Sequence, residues 1–260
     1  GGAFAEPRYV DASAAAADFL LAELRRDDGR LLHTWRCGEA KLDAYLDDYT
    51  CLANGLVSLY EATFDEKWLA AAVELADVVL EQFADANAGG FFFTADDHER
   101  LITRTKDFTD ASTPRGNGMA ATLLLRLGTL VGKGDYIDSA MATLRTAADL
   151  IERVPMATGQ LLLAADRVLS QSHELVLVGA GDDAFRESAH NMRSRYLPRC
   201  VLAGSANPSG AGELLRNAMA AKTPIDDQPT LYVCENFACQ APVAGGDAIR
   251  QQLDELATHR

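Results

Sequence analysis

Positive charge is scarce in this sequence. Lysine and arginine together number 24 against 38 aspartates and glutamates, which leaves a formal charge of −14 at pH 7. Phosphate backbones and anionic membrane surfaces are bound through concentrated cations. The charge balance therefore argues against nucleic acid and against a membrane as partners, and a solubilising role accounts equally well for the acidity.

Long apolar runs and cysteines are few as well. No stretch approaches the ~18 consecutive apolar residues of a membrane span. Residues 1–4 lack the basic start and the apolar stretch of a signal peptide. Five cysteines, an odd number, argue against a secreted fold held by disulfides. We therefore expect a cytoplasmic protein whose apolar residues, 48% of the chain, form a sizeable core.

Helix pairs repeat along residues 1–170. Three segments place apolar residues on one stripe and charges elsewhere: Ala12–Leu24, Leu69–Phe83 and Tyr136–Arg153. Between them lie two helices of very low charge, Leu46–Ala62 and Gly116–Val131, the second with Arg126 as its one charged residue. Helices this apolar are enclosed on most sides. The alternation predicts a mainly α fold in which about three helical hairpins form part of an (α/α)6 toroid.

Residues 171–260 change to an α/β pattern and predict a small β-α-β lobe with a C-terminal helix. The predicted strands are His173–Gly179, Cys200–Gly204 and Thr230–Cys234, and the predicted helices are Asp182–Leu197 and Gly246–Thr258. The first two strands flank a helix and should therefore be parallel. Residues 178–182 lack the third glycine of the dinucleotide fingerprint, so we interpret them as a capped turn and predict no cofactor.

Long connections gather at one rim of the predicted toroid. They join each outer helix to the next inner one over Asp27–Tyr45 and Asp85–Pro114. In the second connection, Phe91–Thr94 and Leu101–Thr103 predict a β-hairpin. We interpret its tip, Asp96–Glu99, as solvated rather than as a metal site. Long loops on one rim commonly carry function.

Several short motifs, spread over nearly the whole chain, carry a family resemblance. They are Leu46–Tyr49, Gly89–Phe92, Lys106–Asp110, Pro114 with Asn117, and Cys234–Pro242. In this order they resemble the C-terminal half of the spermatogenesis-associated protein 20 family. The resemblance implies a toroid related to six-hairpin glycosidases and N-acylglucosamine 2-epimerase, preceded by a thioredoxin-like domain that this chain does not include. The role in carbohydrate metabolism that it implies rests on fold analogy.

The resemblance also implies that roughly the first half of the toroid lies outside these 260 residues. Gly1–Phe4 would be the end of an inner helix. Three helix pairs cannot close a ring of six pairs, and the open edges would expose apolar faces. We therefore expect the missing N-terminal portion or a partner chain to cover the open toroid edge.

The first candidate site is Asp47-Asp48-Tyr49 at the start of an inner helix. When two carboxyl groups lie together, the pKa of one rises, and a phenol beside them suits acid–base chemistry. Aspartates in a first helical turn serve equally well as N-terminal caps. The resemblance favours Asp48 and Tyr49 as the pair that faces the cavity.

The second candidate site lies on the loop ahead of the next inner helix. Asp107, Asp110 and Asn117 match the family's motif, whereas Arg115 stands where relatives often have a small residue. Two carboxylates that face Asp48 across a cavity could hold sugar hydroxyls, and as acid and base their separation would set the stereochemical outcome. The alternative is a loop held in place by hydrogen bonds from aspartate side chains to the backbone.

The third candidate site is Trp35 and Arg36, with His33 nearby. A flat aromatic beside a cation suits a sugar face, and arginine can clamp a carboxylate. The alternative is a tryptophan that packs as a lid over the toroid mouth. The predicted inner helices contain no histidine, which argues against an epimerase.

Cys234 and Cys239 are spaced C-x4-C, which is neither the C-x2-C of a redox motif nor one half of a zinc site with a second pair. We predict no metal. A disulfide across a tight turn is one interpretation of the two residues. Buried thiols in a structural turn is the interpretation that we favour.

Two functions are compatible with these features. The first is a carbohydrate-binding or carbohydrate-processing cavity for a sugar-like small molecule. Its candidate catalytic residues are Asp48, Tyr49, Asp107 and Asp110, and its candidate substrate-binding residues are Trp35, Arg36 and Asn117. If a reaction occurs, one carboxylic acid protonates a leaving or bridging oxygen and another carboxylate acts as base. The second is a non-catalytic interaction scaffold that works with the thioredoxin-like domain in redox or protein quality control.

Overall fold

The computed structural model describes residues 4, 6–99, 102–179, 183–235 and 238–258. Helices make up its first part and a small α/β lobe its last, so the predicted mainly α fold class is confirmed. Most of the predicted helix end at Gly1–Phe4, and residues 180–182 of the predicted turn, lie outside the described residues. None of the described helices is long and apolar enough to cross a bilayer.

The helices of the first part form two layers. They are α1 (Pro7–Glu23), α2 (Leu46–Thr63), α3 (Glu66–Gln82), α4 (Gly116–Val131), α5 (Gly134–Arg153) and α6 (Gly159–Leu169). Helices α2, α4 and α6 lie side by side, with α1, α3 and α5 outside them. Most residues of α4 are buried, whereas α5 buries a single stripe that includes Tyr136 and Ala147. The alternation of enclosed and amphipathic helices is therefore observed.

The turns from inner to outer helix have equal lengths because they are built alike. After α2, Phe64 adopts a left-handed φ of 58°, and the side chain of Asp65 then caps α3 by accepting the N–H of Lys67. After α4, Gly132 takes the left-handed position with a φ of 71°. One left-handed residue and one cap residue are enough to reverse the chain.

The hairpin predicted at Phe91–Thr94 and Leu101–Thr103 is not found among the described residues, where neither Phe91–Thr94 nor residues 102–103 form a strand. Phe91 forms only an isolated bridge to Ala84, and its N–H and carbonyl are both bonded by the side chain of Asn117. These backbone groups are therefore unavailable to a second strand. Leu101 itself lies outside the described residues.

A hairpin does form in the preceding connection, where the sequence predicted only a loop. Strands β1 (Leu32–Arg36) and β2 (Glu39–Asp43) pair in antiparallel fashion. Their turn residues, Cys37 and Gly38, both have positive φ, as a two-residue type I′ turn requires. Cysteine is not among the residues favoured at the first of these positions, so the sequence signal for this turn is weak.

The lobe is a small mixed sheet with helices packed on both faces. Its elements are β3 (His173–Val178), α7 (Asp183–Ser194), β4 (Cys200–Ser205), α8 (Arg216–Met219), β5 (Thr230–Glu235), β6 (Ala238–Cys239), β7 (Val243–Ala244) and α9 (Gly246–Thr258). The strand order is β4-β3-β5-β6, with β7 also on β5. Strands β3 and β4 are parallel, as predicted, and β5 runs antiparallel to β3.

The two faces of this sheet belong to two different cores. Val176 and Val201 pack into the large core that the helices of the first part form. Leu177 and Val233 face the opposite way, into a smaller core with α7 and α9. Alternate residues along each strand are therefore assigned to alternate cores, as the period of two in a strand requires.

Candidate functional site at the rim of the inner helices

The paired aspartates at the start of α2 bind backbone N–H groups. Asp48 accepts the N–H of Tyr45 at 2.8 Å, and its carboxylate lies 2.8 Å from Nδ1 of His33. Asp47 accepts the N–H of Gly116, the first residue of α4, at 2.8 Å. Burial raises the pKa of Asp47, against the opposing effect of the Gly116 hydrogen bond. Asp47 therefore ties the beginnings of two inner helices together.

Tyr49 lies inside the core rather than at an open surface. It is 1% exposed, its hydroxyl accepts the N–H of Leu31 at 2.7 Å, and its ring contacts that of Phe83. The hydroxyl thereby satisfies a backbone donor at the start of the β1 segment.

Asp110 connects two inner helices. One carboxylate oxygen accepts the N–H of Arg115 at 3.0 Å, just ahead of α4, and the other accepts the N–H of Gln160 at 2.8 Å, in the first turn of α6. Asp107 is less constrained, because it accepts from Thr109 at 3.2 Å and remains 43% exposed at its side chain. These bonds correspond to the loop-holding alternative for this candidate site.

Asn117 is buried and fully engaged with the backbone. Its oxygen accepts the N–H of Phe91 at 2.8 Å, and its amide donates to the carbonyls of Phe91 at 2.9 Å and Asp107 at 3.1 Å. The side chain therefore replaces a strand partner for Phe91. In this arrangement its polar atoms face protein rather than an open cavity.

Arg115 lies between the two acidic segments, although it is not one of the residues that match the family's motif. Its Nη1 lies 3.5 Å from Asp47, and its Nε lies 3.3 Å from Asp107, within ion-pair distance but without the alignment of a hydrogen bond. The acidic residues of both candidate sites therefore share one rim, as predicted. One cation between two carboxylates offsets part of the negative charge predicted for this site.

Aromatic rings cover the start of α2. Tyr45 stacks on Phe93 with ring centroids 4.7 Å apart, and His33 and His98 contact the same tyrosine at 5.1 and 5.4 Å. This cluster was not anticipated, because its members come from two separate connections. It lies directly beside Asp48 through the His33 contact.

Trp35 and Arg36 lie on β1, at the outer side of this rim. The indole is 41% exposed, and its ring meets the edge of Phe19 on α1 at 5.2 Å. Arg36 is exposed and stands opposite Glu39 in the hairpin. Trp35 therefore leans toward α1 rather than over the acidic residues.

No group of three or more histidine, cysteine or acidic side chains with a metal-binding arrangement occurs among the described residues.

The acidic segment Asp96–Glu99, predicted to be solvated, is partly engaged, because Asp97 forms a two-fold ion pair with Arg30 at 2.8 and 2.9 Å. This ion pair holds the connection after α3 against the one after α1.

An apolar groove runs between α1 and α2, away from the acidic rim. Its volume is about 560 Å³. The residues that line it are apolar or small, among them Val10, Ala16, Leu20, Leu52, Gly55 and Leu59. A Cβ added at Gly55 would meet no atom within 4 Å. The groove is therefore open where a neighbouring helix would pack.

Cys234 and Cys239 are joined by a disulfide between β5 and β6. The favoured interpretation, buried thiols in a structural turn, is therefore wrong for this structure, and the disulfide alternative is observed. The reason is register, because the two residues stand directly opposite each other on paired strands. Residues 236 and 237 between them lie outside the described part of the chain.

Comparison with known proteins gives a consistent family assignment. The chain is 31% identical over 215 residues to human spermatogenesis-associated protein 20, which covers 80% of this chain and 27% of the human protein. The chain is homologous to the spermatogenesis-associated protein 20 family. The rat protein of that name is 30% identical over 217 residues, and an uncharacterized protein of Caenorhabditis elegans is 27% identical over 96% of this chain. No protein-family model matches the chain.

The resemblance seen in the sequence motifs is thereby confirmed, and the match is consistent with a C-terminal portion of that family. The chain spans about a quarter to a third of the length of these relatives, 27% of the human and rat proteins and 34% of the nematode protein. What a whole family member does is therefore a matter for proposal.

Proposed function

We propose that this chain is a non-catalytic interaction scaffold whose groove between α1 and α2 holds an amphipathic helix from another polypeptide segment. The observation that carries the proposal is the groove itself, which is open, apolar and lined by two helices. A helix in a groove of this kind buries its own apolar stripe, and the hydrophobic effect supplies the affinity.

Small residues along the groove favour a helix as the occupant. Ala16 on α1 and Gly55 on α2 are both exposed there and leave room for close approach of a backbone. The relatives are three to four times longer than the matched region, which provides chain from which such a helix could come. We propose a segment of the longer polypeptide as the occupant, in a protein whose thioredoxin-like domain would link the scaffold to redox or protein quality control.

The use of the rim carboxylates also supports a scaffold. Asp47, Asp48 and Asp110 each accept backbone N–H groups near helix starts, and Arg115 stands between Asp47 and Asp107. Residues engaged in this way stabilise the framework that presents the groove. Aromatic rings around Tyr45 cover the neighbouring surface.

Substitutions inside the groove test the scaffold proposal. We expect the wild-type chain to bind an apolar dye such as anilinonaphthalene sulfonate, and Gly55→Glu and Ala16→Glu to reduce dye fluorescence several-fold because each places a charge in the groove. Ala15→Glu is the matched control, since Ala15 is exposed on α1 but does not line the groove. Sedimentation velocity on the same samples measures self-association. A monodisperse wild-type monomer without dye binding would contradict the proposal.

A second candidate function is carbohydrate binding at the rim, favoured by the partly exposed Asp107 and by the exposed indole of Trp35. In that case sugars that raise the melting temperature of the wild type should fail to do so for Asp107→Asn. Asp96→Asn, at an exposed aspartate of the same connection, is the control. An equal thermal shift in Asp107→Asn would remove this residue from sugar binding.

A further inference from the structure

Three residues from three adjacent strands share one face of the lobe sheet beside the disulfide. Glu174 on β3 stands opposite Cys234 on β5, and Cys234 stands opposite Cys239 on β6. Directly opposed residues of antiparallel strands project to the same face, with Cβ atoms about 4.5–5.5 Å apart. Val176, two residues after Glu174, packs into the large core. This face of the sheet is therefore the one toward the helices of the first part of the chain.

Glu174 is an unusual residue for this position. Its Oε1 is buried and has no hydrogen-bond partner within the described part of the chain. An unpartnered buried carboxyl group costs free energy when it ionises. Burial raises its pKa to about 7, while the charge of Lys222 opposes the rise. Burial, with a smaller contribution from the charge of Glu174, raises the pKa of Tyr60 on α2.

The two sulfur atoms differ in access. Cys234 is 2% exposed, whereas Cys239 is exposed at the edge of the sheet. An incoming thiolate can therefore reach Cys239, and Cys234 becomes the leaving group. A buried leaving thiolate requires a proton, because an isolated negative charge is poorly solvated there. The neutral carboxyl group of Glu174 is the titratable group directly beside it.

We propose that the Cys234–Cys239 disulfide is a redox-active site that exchanges with a dithiol, and that Glu174 carries the proton of Cys234. This proposal is independent of the scaffold function, because it involves the sheet of the lobe and none of the groove residues.

The exchange balances as two successive displacements. One thiolate of the dithiol attacks Sγ of Cys239, the Cys234–Cys239 bond breaks, and Cys234 leaves as a thiolate that takes the proton of Glu174. The second thiolate of the dithiol then attacks its own sulfur in the mixed disulfide and releases Cys239 as a thiolate, which is protonated from solvent. The dithiol loses two electrons and becomes a disulfide, and the protein gains two thiols. In the reverse direction the Glu174 carboxylate accepts the proton from Cys234.

Reduction by dithiothreitol tests the proposal on the whole chain. The rate is followed by quenching with an alkylating agent and counting modified cysteines by mass spectrometry. We expect native wild-type protein to be reduced, with a rate per dithiothreitol thiolate that falls as the pH rises through about 7. Glu174→Gln should slow reduction at pH 6.5 by about tenfold or more and remove this pH dependence.

Glu235→Gln is the matched control, because Glu235 follows Cys234 on β5 and its carboxylate bonds to Gln171. The variant should leave the rate unchanged. Glu174→Asp retains a carboxyl group at the same position and should retain the inflection near neutral pH, even if it reacts more slowly. If circular dichroism shows that Glu174→Gln does not fold, the pH profile of Glu174→Asp tests the proposal instead.

A purely structural disulfide would behave differently. Reduction only after denaturation, or an identical rate and pH profile for wild type and Glu174→Gln, would overturn the proposal, as would loss of the inflection in a folded Glu174→Asp. The groove variants Gly55→Glu and Ala16→Glu should be reduced at the wild-type rate. The failure of one proposal is thereby distinguishable from the failure of the other.

Discussion

Several aspartate side chains in this protein satisfy backbone donors at turns and helix starts. Asp85 accepts the N–H groups of Asn87 and Ala88 and pairs with Lys106, which together lower its pKa to about 2. Asp48 and Asp110 bind backbone N–H groups near helix starts in the same way. Acidic residues at helix starts are therefore accounted for by local hydrogen bonding before any chemistry is assigned to them.

Glu174 has a buried carboxyl oxygen without a hydrogen-bond partner among the described residues, and its titration should affect stability. Its pKa rises from the ordinary 4.5 to about 7 on folding because burial disfavours the charged form. The folded state thus holds its proton more tightly than the unfolded state. The contribution of Glu174 to the free energy of unfolding is fully present below about pH 4.5 and is lost as the pH rises through about 7.

We predict that the free energy of unfolding of Glu174→Gln depends less on pH between 4.5 and 8 than that of the wild type. At pH 8 the variant should be more stable than the wild type by up to about 3 kcal/mol, since a pKa shift of one unit corresponds to about 1.36 kcal/mol. Urea unfolding between pH 4.5 and 8 measures the difference. Parallel stability curves for the two proteins would show that Glu174 ionises freely in the folded state.

Helix starts are the places where elements are joined in this fold. Asp47 extends from the start of α2 to the first residue of α4, and Asp110 extends from the loop before α4 to the first turn of α6. Each carboxylate satisfies donors that a helix leaves unpaired. Three inner helices are thereby linked in sequence at one rim.

We predict that Asp110→Ala destabilises the protein by about 2–3 kcal/mol, because two N–H groups bonded to a charged acceptor lose their partner. Asp107→Ala removes a more exposed carboxylate of the same loop and should cost less than about 1 kcal/mol. Chemical denaturation of both variants gives the comparison. If both variants lose the same free energy of unfolding, the bonds from Asp110 to α4 and α6 are not the source of the destabilisation.

At the scale of the whole molecule, the features that suggest function are on separate surfaces. The groove lies between α1 and α2, the acidic rim at the starts of α2 and α4, and the disulfide at the edge of the lobe sheet. The sheet packs one face on the helices, so the lobe and the helical layers share a core. A change in the groove and a change at the disulfide can therefore be tested independently.

Prediction from sequence succeeded where local pattern was sufficient. The bounds of α4 and α9 agree with those predicted, because a nearly uncharged run ended by Gly132 and an amphipathic run begun by Gly246 are complete local signals. The parallel pairing of β3 and β4 also followed from the helix between them. Prediction failed for the hairpin at Phe91, where the side chain of Asn117 occupies the backbone groups that a strand would need.

Periodicity and residue type alone placed the helices, the mixed lobe and the acidic residues at helix starts, because each depends on neighbours within a few positions. Which donor each carboxylate meets was decided in three dimensions, as was the pairing of Cys234 with Cys239 beside an unpartnered Glu174. Those contacts depend on strand register and on where distant segments return, and the period of a helix or strand carries no information about either.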